Sequence, residues 1–249
     1  MADEHYENLT MAQIYDLDSP WSVDRDFYLA LAARPSMTIL DLGCGTGLLC
    51  NAYAEEGHRV VGADPAAAML EVAKKKPYGG SIQWVQATAQ EFRSQDRFDL
   101  IIMTGHAFQV LIDDSDVLAA LSVMQKHLAT DGIAVFESRN PNVDWAKRWD
   151  YVMNIDMPAG KVKESRRMLE QKGERMTFEL KYEFANETQY SRSELRFMPY
   201  SKIKELIQAA GLEVVQIYGD WDKSPFDENA SEEMIFCTRR AEELDSLRT

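Results

Sequence analysis

At 249 residues, with 45% apolar and 27% charged side chains, the chain has ordinary globular composition and enough length for one large α/β domain plus an accessory element. Its formal charge of −14 opposes a phosphate backbone, whose non-specific affinity rests on Lys and Arg, so no nucleic-acid partner is expected. No apolar run approaches the roughly 20 residues that span a bilayer, and Met1-Ala2-Asp3-Glu4 is acidic where a signal peptide is basic, so the expectation is a cytoplasmic protein without membrane contact.

In chain order, residues 11–15 and 23–33 predict two N-terminal helices, split at Ser19-Pro20-Trp21 because Pro20 disfavours helical geometry in the residue before it. Short β-branched runs at 38–42, 59–63, 82–86, 98–103, 133–137, 213–217 and 234–238 predict seven strands. Helical composition at 48–56, 66–76 and 115–128 alternates with the early strands. Gly57, Pro77 and Gly132 are stops, and Asp131-Gly132 is the expected turn into the fifth strand. This alternation predicts βαβ units, hence an α/β fold with a doubly wound, mostly parallel sheet.

Residues 149–197 break the rhythm. Met176, Phe178, Leu180, Tyr182 and Phe184 alternate with polar residues at the period of a half-buried strand. Residues 161–170 are expected to pair with it across a hairpin near Gln171 to Glu174, and 188–197 to add a third strand. A small antiparallel insertion at 149–197 thus separates a core at 1–148 from a return at 198–249, where Ser201 and Gly211 are the expected caps of a helix over 201–210. Arg166, Arg167, Arg192 and Arg196 in the insertion are expected to meet solvent. Cys44, Cys50 and Cys237 show no CxxC spacing, which argues against disulfides and a structural zinc; no metal is expected, and Cys44 reads as a small loop residue.

The first strand runs into Asp41-Leu42-Gly43-Cys44-Gly45-Thr46-Gly47, whose glycines permit a tight turn and close approach to a ligand at a strand's carboxyl end. A dinucleotide fingerprint, GxGxxG, would place its third glycine where Leu48 stands, which argues against a NAD-dependent oxidoreductase. Asp64, ending the second strand, is placed to accept both hydroxyls of a ribose, or alternatively to cap the next helix.

The run from Ile39 to Gly47, followed by Val60-Val61-Gly62-Ala63-Asp64-Pro65 and Met69-Leu70, resembles class I methyltransferases dependent on S-adenosylmethionine (SAM). The resemblance implies a seven-stranded Rossmann-like sheet with an antiparallel last strand, and a glycine loop that passes the aminocarboxypropyl part of SAM. It places Asp41, Gly43, Cys44, Gly45, Gly47, Asp64, Pro65 and Met69 around the cofactor, with Thr88 and Ala89 at the adenine edge. Thr88 stands where many relatives carry an Asp, so the Ala89 backbone is the alternative partner there. S-adenosylhomocysteine would be the product.

Met103-Thr104-Gly105-His106 follows the fourth strand and should face the bound ligand, bringing Met103 and Thr104 to the cofactor. His106 is the candidate base, with adenosine binding or helix capping as its other readings. Gln109 is a candidate pocket wall, and Arg139 is a candidate anion holder or a partner of Glu137. In such relatives an insertion after the fifth strand commonly forms a lid, so Tyr15 and Trp21 are expected to help frame the substrate. The expected function is transfer of a methyl group to a nitrogen or oxygen of a small molecule by in-line displacement; a non-catalytic SAM-binding module is the alternative.

Overall fold

The computed structural model describes residues 4–157 and 160–242. Three helices lead: α1 (Glu4–Glu7), α2 (Leu9–Asp18) and α3 (Val23–Leu29). α2 runs longer than its apolar pattern because Asn8 caps it, accepting from the Thr10 and Met11 amides at 2.9 and 3.2 Å. The core then alternates β1 (Thr38–Leu42), α4 (Leu48–Glu55), β2 (Arg59–Asp64), α5 (Ala67–Ala73), β3 (Gln83–Gln86), β4 (Phe98–Met103), α6 (Asp114–His127) and β5 (Leu128–Arg139). The insertion supplies β6 (Tyr151–Met157), β7 (Gly160–Lys172), β8 (Arg175–Glu183) and β9 (Thr188–Arg196), and α7 (Tyr200–Ala209), β10 (Leu212–Tyr218) and β11 (Glu233–Arg240) close the core.

The seven core strands form one sheet in the order β10-β11-β5-β4-β1-β2-β3, parallel except for β11, which pairs antiparallel with both neighbours. This is the expected doubly wound α/β sheet. Apolar clusters cover both faces, one built on Leu40, Phe98, Phe108 and Phe136, the other on Ile39, Tyr53, Leu100 and Val135. With β1 and β4 central, the polar residues at or just beyond the carboxyl ends of β1, β2, β4 and β5, among them Asp41, Asp64, Thr104 and Arg139, converge on one edge.

Several local expectations are corrected. Asp131-Gly132 is no turn: β5 starts at Leu128, and its register with β4 jumps from Phe98–Leu128 to Leu100–Ile133, so 129–132 bulge within the strand. The inserted sheet has four strands in the order β6-β7-β8-β9, the added β6 being a short edge strand in which only Ile155 is buried. α7 starts one residue before Ser201, follows Pro199 and has no side-chain cap. Met11 and Ile14 of α2 join Trp145, Trp149 and the inner face of the inserted sheet in a separate apolar cluster, which fixes the insertion over the strand ends. Among the described residues no helix is long and apolar enough to cross a membrane.

Candidate active site

The loop after β1 turns on Gly43, Gly45 and Gly47, all at positive φ, with the Gly43 and Cys44 amides donating to the Ala63 carbonyl. Gly47 admits no side chain, since a Cβ there would overlap the Trp84 indole; at Gly45 the nearest atom to such a Cβ is Tyr15 Cε1 at 4.0 Å. Asp64 buttresses the turn: Oδ2 accepts from the Gly45 amide and Oδ1 from the Ala66 amide, each at 2.8 Å. Burial raises its pKa and these two hydrogen bonds oppose the rise.

A cleft opens above this loop, lined by Tyr15, Asp16, Arg25, Asp41, Gly43, Gly45, Thr46 and Thr104 among others. Asp16 ties α2 down over it, accepting from the Thr46 hydroxyl and pairing with Lys76. Asp41 is fully buried and its Oδ1 has no partner; burial pushes its pKa up to about 7. The cleft therefore offers an unsatisfied carboxyl on Asp41 and, across it, the Arg25 guanidinium, which also pairs with Asp24 at 2.9 Å, two opposite charges that fit a zwitterionic amino-acid group.

Next to Thr104 and Gly105, His106 takes a left-handed conformation (φ 59°) rare for a side-chain residue. Its amide donates to Glu137 Oε1 at 2.6 Å, and its Nε2 lies 2.9 Å from Glu233 Oε2. Burial lowers the His106 pKa to about 3 and raises Glu233 to about 8, so through neutral pH the pair keeps one titratable proton, on the carboxyl, bridging to Nε2. Tyr28 donates to Glu137 from below. Gln109, fully buried, donates to the Arg196 carbonyl (3.1 Å) and accepts from Arg139 Nη1 (3.0 Å). Arg139 lies over the rings of Trp145 and Trp149, at 5.6 and 4.9 Å.

Tyr15, Asp41, Gly43, Cys44, Gly45 and Thr104 are thus brought together around the cleft. Met69 is buried beneath α2 with Ala12, Tyr6 and Tyr15, Pro65 accepts from Gln86, and Met103 ends β4 in the core. Thr88 spends its hydroxyl on Glu91, at 2.9 Å, and Ala89 is buried next to it. Trp21 is 40% exposed, donates to Asp26 and does not line the cleft. Of the insertion's arginines, Arg167 and Arg192 pair with Glu179 and Arg196 bridges Asp114 and Glu174, but Arg166 turns inward among Trp149, Tyr151 and Phe178. Asp16, Arg25 and Glu233 carry no motif and went unread in the sequence, and Glu137, expected beside Arg139, instead accepts from Tyr28 and the His106 amide.

Residues 39–132 match the family model described as a methyltransferase domain. The chain is 23% identical over 246 residues to a cypemycin N-terminal methyltransferase of Streptomyces sp, covering 96% of this chain and all of that one. It is 34% identical over 115 residues to a ubiquinone biosynthesis O-methyltransferase of Bradyrhizobium sp. (strain ORS 278), covering 45% of this chain and 44% of that one. The structure superposes on the sugar N-methyltransferase KedS8 from Streptoalloteichus sp ATCC 53650 with a TM-score of 0.75 at 18% identity, over 97% of this chain and 95% of that one. Residues 39–132 are thus similar to a methyltransferase domain, and nearly the whole chain, insertion included, shares its fold with a solved S-adenosylmethionine-dependent methyltransferase from Clostridium acetobutylicum ATCC 824, with a TM-score of 0.76 at 15% identity over 94% of this chain and 98% of that one.

Proposed function

We propose that this methyltransferase acts on a nitrogen of a small-molecule acceptor held between the strand ends and the inserted sheet, which serves as a lid. One observation carries the reading: a single helix, α2, lines the cofactor cleft with Tyr15 and Asp16 and packs into the inserted sheet with Met11 and Ile14. The donor site and the insertion therefore share one wall. Nitrogen is favoured over oxygen because the relative matched along its whole length, insertion included, is named for N-terminal methylation, whereas the O-methyltransferase match spans less than half of either chain.

When bound, SAM supplies a sulfonium-activated methyl group open to in-line displacement. The chain's own residues then have these parts. Asp41 would take the ammonium of the cofactor's amino-acid end, and Arg25, now paired with Asp24, would take its carboxylate. Asp64 keeps its remaining acceptor capacity for the ribose hydroxyls while holding the loop in shape. With the Thr88 hydroxyl committed to Glu91, the Ala89 backbone takes the adenine edge.

His106 and Glu233 act as a unit. Below about pH 8 their shared proton lies between Nε2 and the carboxyl, and above it the pair is free to take the proton that the acceptor nitrogen sheds. Arg139, held by Gln109 and two indoles, closes the polar wall beside it. Transfer of labelled methyl from SAM to a panel of small amines and matched alcohols tests the reading. Labelled amine product is expected; methylation of alcohols alone, or SAM binding without transfer to any acceptor, overturns it.

A further inference from the structure

Glu137, near the carboxyl end of β5, is only 1% exposed, and among the described residues no lysine or arginine pairs with it. Its two oxygens go to neutral donors: Oε2 accepts from the Tyr28 hydroxyl, and Oε1 from the His106 amide at 2.6 Å. Arg139, two residues along on the same face of β5, turns instead to Gln109 and the indoles of Trp145 and Trp149. A buried carboxylate without a cation is costly to the fold, and what it holds explains its place.

It holds a strained loop. Gly105 and His106 are both left-handed, at φ 66° and 59°, and the second of them carries a side chain. A residue other than glycine keeps that conformation only where its surroundings over-determine it. Here the His106 amide is fixed on Glu137 and a short 3-10 turn, Ala107–Val110, follows at once, so the left-handed residue sets the direction in which the imidazole leaves the backbone. The ring points to β11, where Nε2 lies 2.9 Å from Glu233 Oε2, while Nδ1 stands 4.0 Å from Glu137 Oε1, beyond hydrogen-bond reach. One carboxyl thus holds the backbone of His106 and another meets its ring. Glu137 is anchored in turn by the core: Tyr28 of α3 is fully buried, and its carbonyl accepts from the Tyr53 hydroxyl of α4 at 2.5 Å.

We propose that Glu137 is a positioning residue of the reaction: it locks His106 in the left-handed conformation that turns Nε2 onto Glu233, and without that lock the imidazole leaves Glu233 for solvent. The inference rests on the reading of His106 and Glu233 as the pair that takes the acceptor's proton, and adds what keeps the pair together. The charged groups around the ring are Glu137 and Arg139 from β5, Glu233 from β11 and Asp24 from α3. Loss of the Glu137 charge alone removes a carboxylate that favours the imidazolium, so it cannot raise the pKa of the ring. Release of the ring to water does raise it. A purely electrostatic role and a positioning role therefore predict opposite shifts.

The test uses the full chain labelled with 15N-histidine, whose four rings are followed by NMR from pH 5 to 9, with His106→Gln assigning the signal. In the parent, the His106 ring is expected to change near pH 8 together with Glu233 and to show no step in the ordinary histidine range. Glu137→Met keeps the length of the side chain but removes both acceptor oxygens, and should move the step to about 6.5, the ordinary value. Glu137→Gln keeps an acceptor for the His106 amide and should restore the behaviour of the parent. A step that stays near pH 8 in Glu137→Met overturns the positioning role. A parent whose His106 titrates freely at about 6.5 overturns instead the His106–Glu233 pair itself. Should Glu137→Met fail to fold, amide hydrogen exchange of the parent decides: the His106 amide is expected to be protected roughly a hundredfold over an unstructured chain, and exchange at the unstructured rate overturns the lock. None of these readouts needs an acceptor, so they stand or fall apart from methyl transfer.

Discussion

Replacing Glu164 with Gln isolates the energetic cost of a buried carboxyl with one oxygen unpaired in the protein. The folded chain raises this carboxyl from 4.5 to about 8, mainly by burial, while the unfolded chain leaves it at its ordinary value. Between those two values the folded state keeps a proton that the unfolded state has released. Stability from this group is therefore greatest at acid pH, falls as pH rises through the interval, and is flat above about 8. At 1.36 kcal/mol per pH step the whole displacement has a ceiling of about 5 kcal/mol. Relaxation brings the realistic cost to the roughly 1–3 kcal/mol of an unsatisfied buried group. Gln has nearly the same size and never ionises. The variant should match its parent within about 1 kcal/mol at pH 5 and exceed it by about 1–3 kcal/mol at pH 8.5. Urea denaturation at pH 5, 7 and 8.5 without cofactor reads the difference, and other raised carboxyls, such as Asp41 and Glu233, slope both curves alike. Parallel curves, with no gain for the variant at alkaline pH, would refute the argument.

Gly47→Ala puts a Cβ at φ 70° into the Trp84 indole and should lose about 2–4 kcal/mol in urea denaturation, from left-handed strain plus overpacking. Asp64→Ala removes the ribose acceptor and the anchor of the Gly45 amide, so calorimetry should show SAM affinity falling at least tenfold; unchanged affinity would remove the assignment. Glu233→Gln abolishes the titration near pH 8, and the rise of kcat/KM between pH 7 and 9 that the His106–Glu233 pair contributes should vanish relative to the parent on the same acceptor. An unaltered pH profile would exclude the pair from proton transfer.

What was legible in the sequence follows from how local its cause is. The seven core strands could be read because buried parallel strands are dense in β-branched residues, and the glycine loop because its backbone conformation restricts the side chains allowed there. β6 carries the alternation Tyr151, Met153, Ile155, Met157, but it is short and buries only Ile155, so nothing in its composition sets it apart from a loop. Asp16 and Arg25 reach the cleft from the N-terminal helices, and Glu233 reaches His106 across 127 positions, so no spacing rule connects them. Thr88, read at an adenine edge, is committed to Glu91 through a bond only three residues long, which the sequence permitted but did not require.

The inward face of the inserted sheet is where patterning alone misleads most. On β8 the alternation Met176, Phe178, Leu180, Tyr182 marks the buried face, and on β7 the residues in phase with it are Val162, Glu164 and Arg166. A charge placed inward is commonly a guard against sheet-to-sheet pairing, and such guards belong on edge strands. β7 is no edge: β6 flanks it on one side and β8 on the other. Nor do Glu164 and Arg166 satisfy each other, since one carboxyl oxygen accepts from Tyr151 and the other is unpaired, while the guanidinium is boxed by three rings with its Nε unpaired. A protonated carboxyl and a guanidinium held apart in an otherwise apolar layer, with one polar atom of each unpaired, weaken the fold.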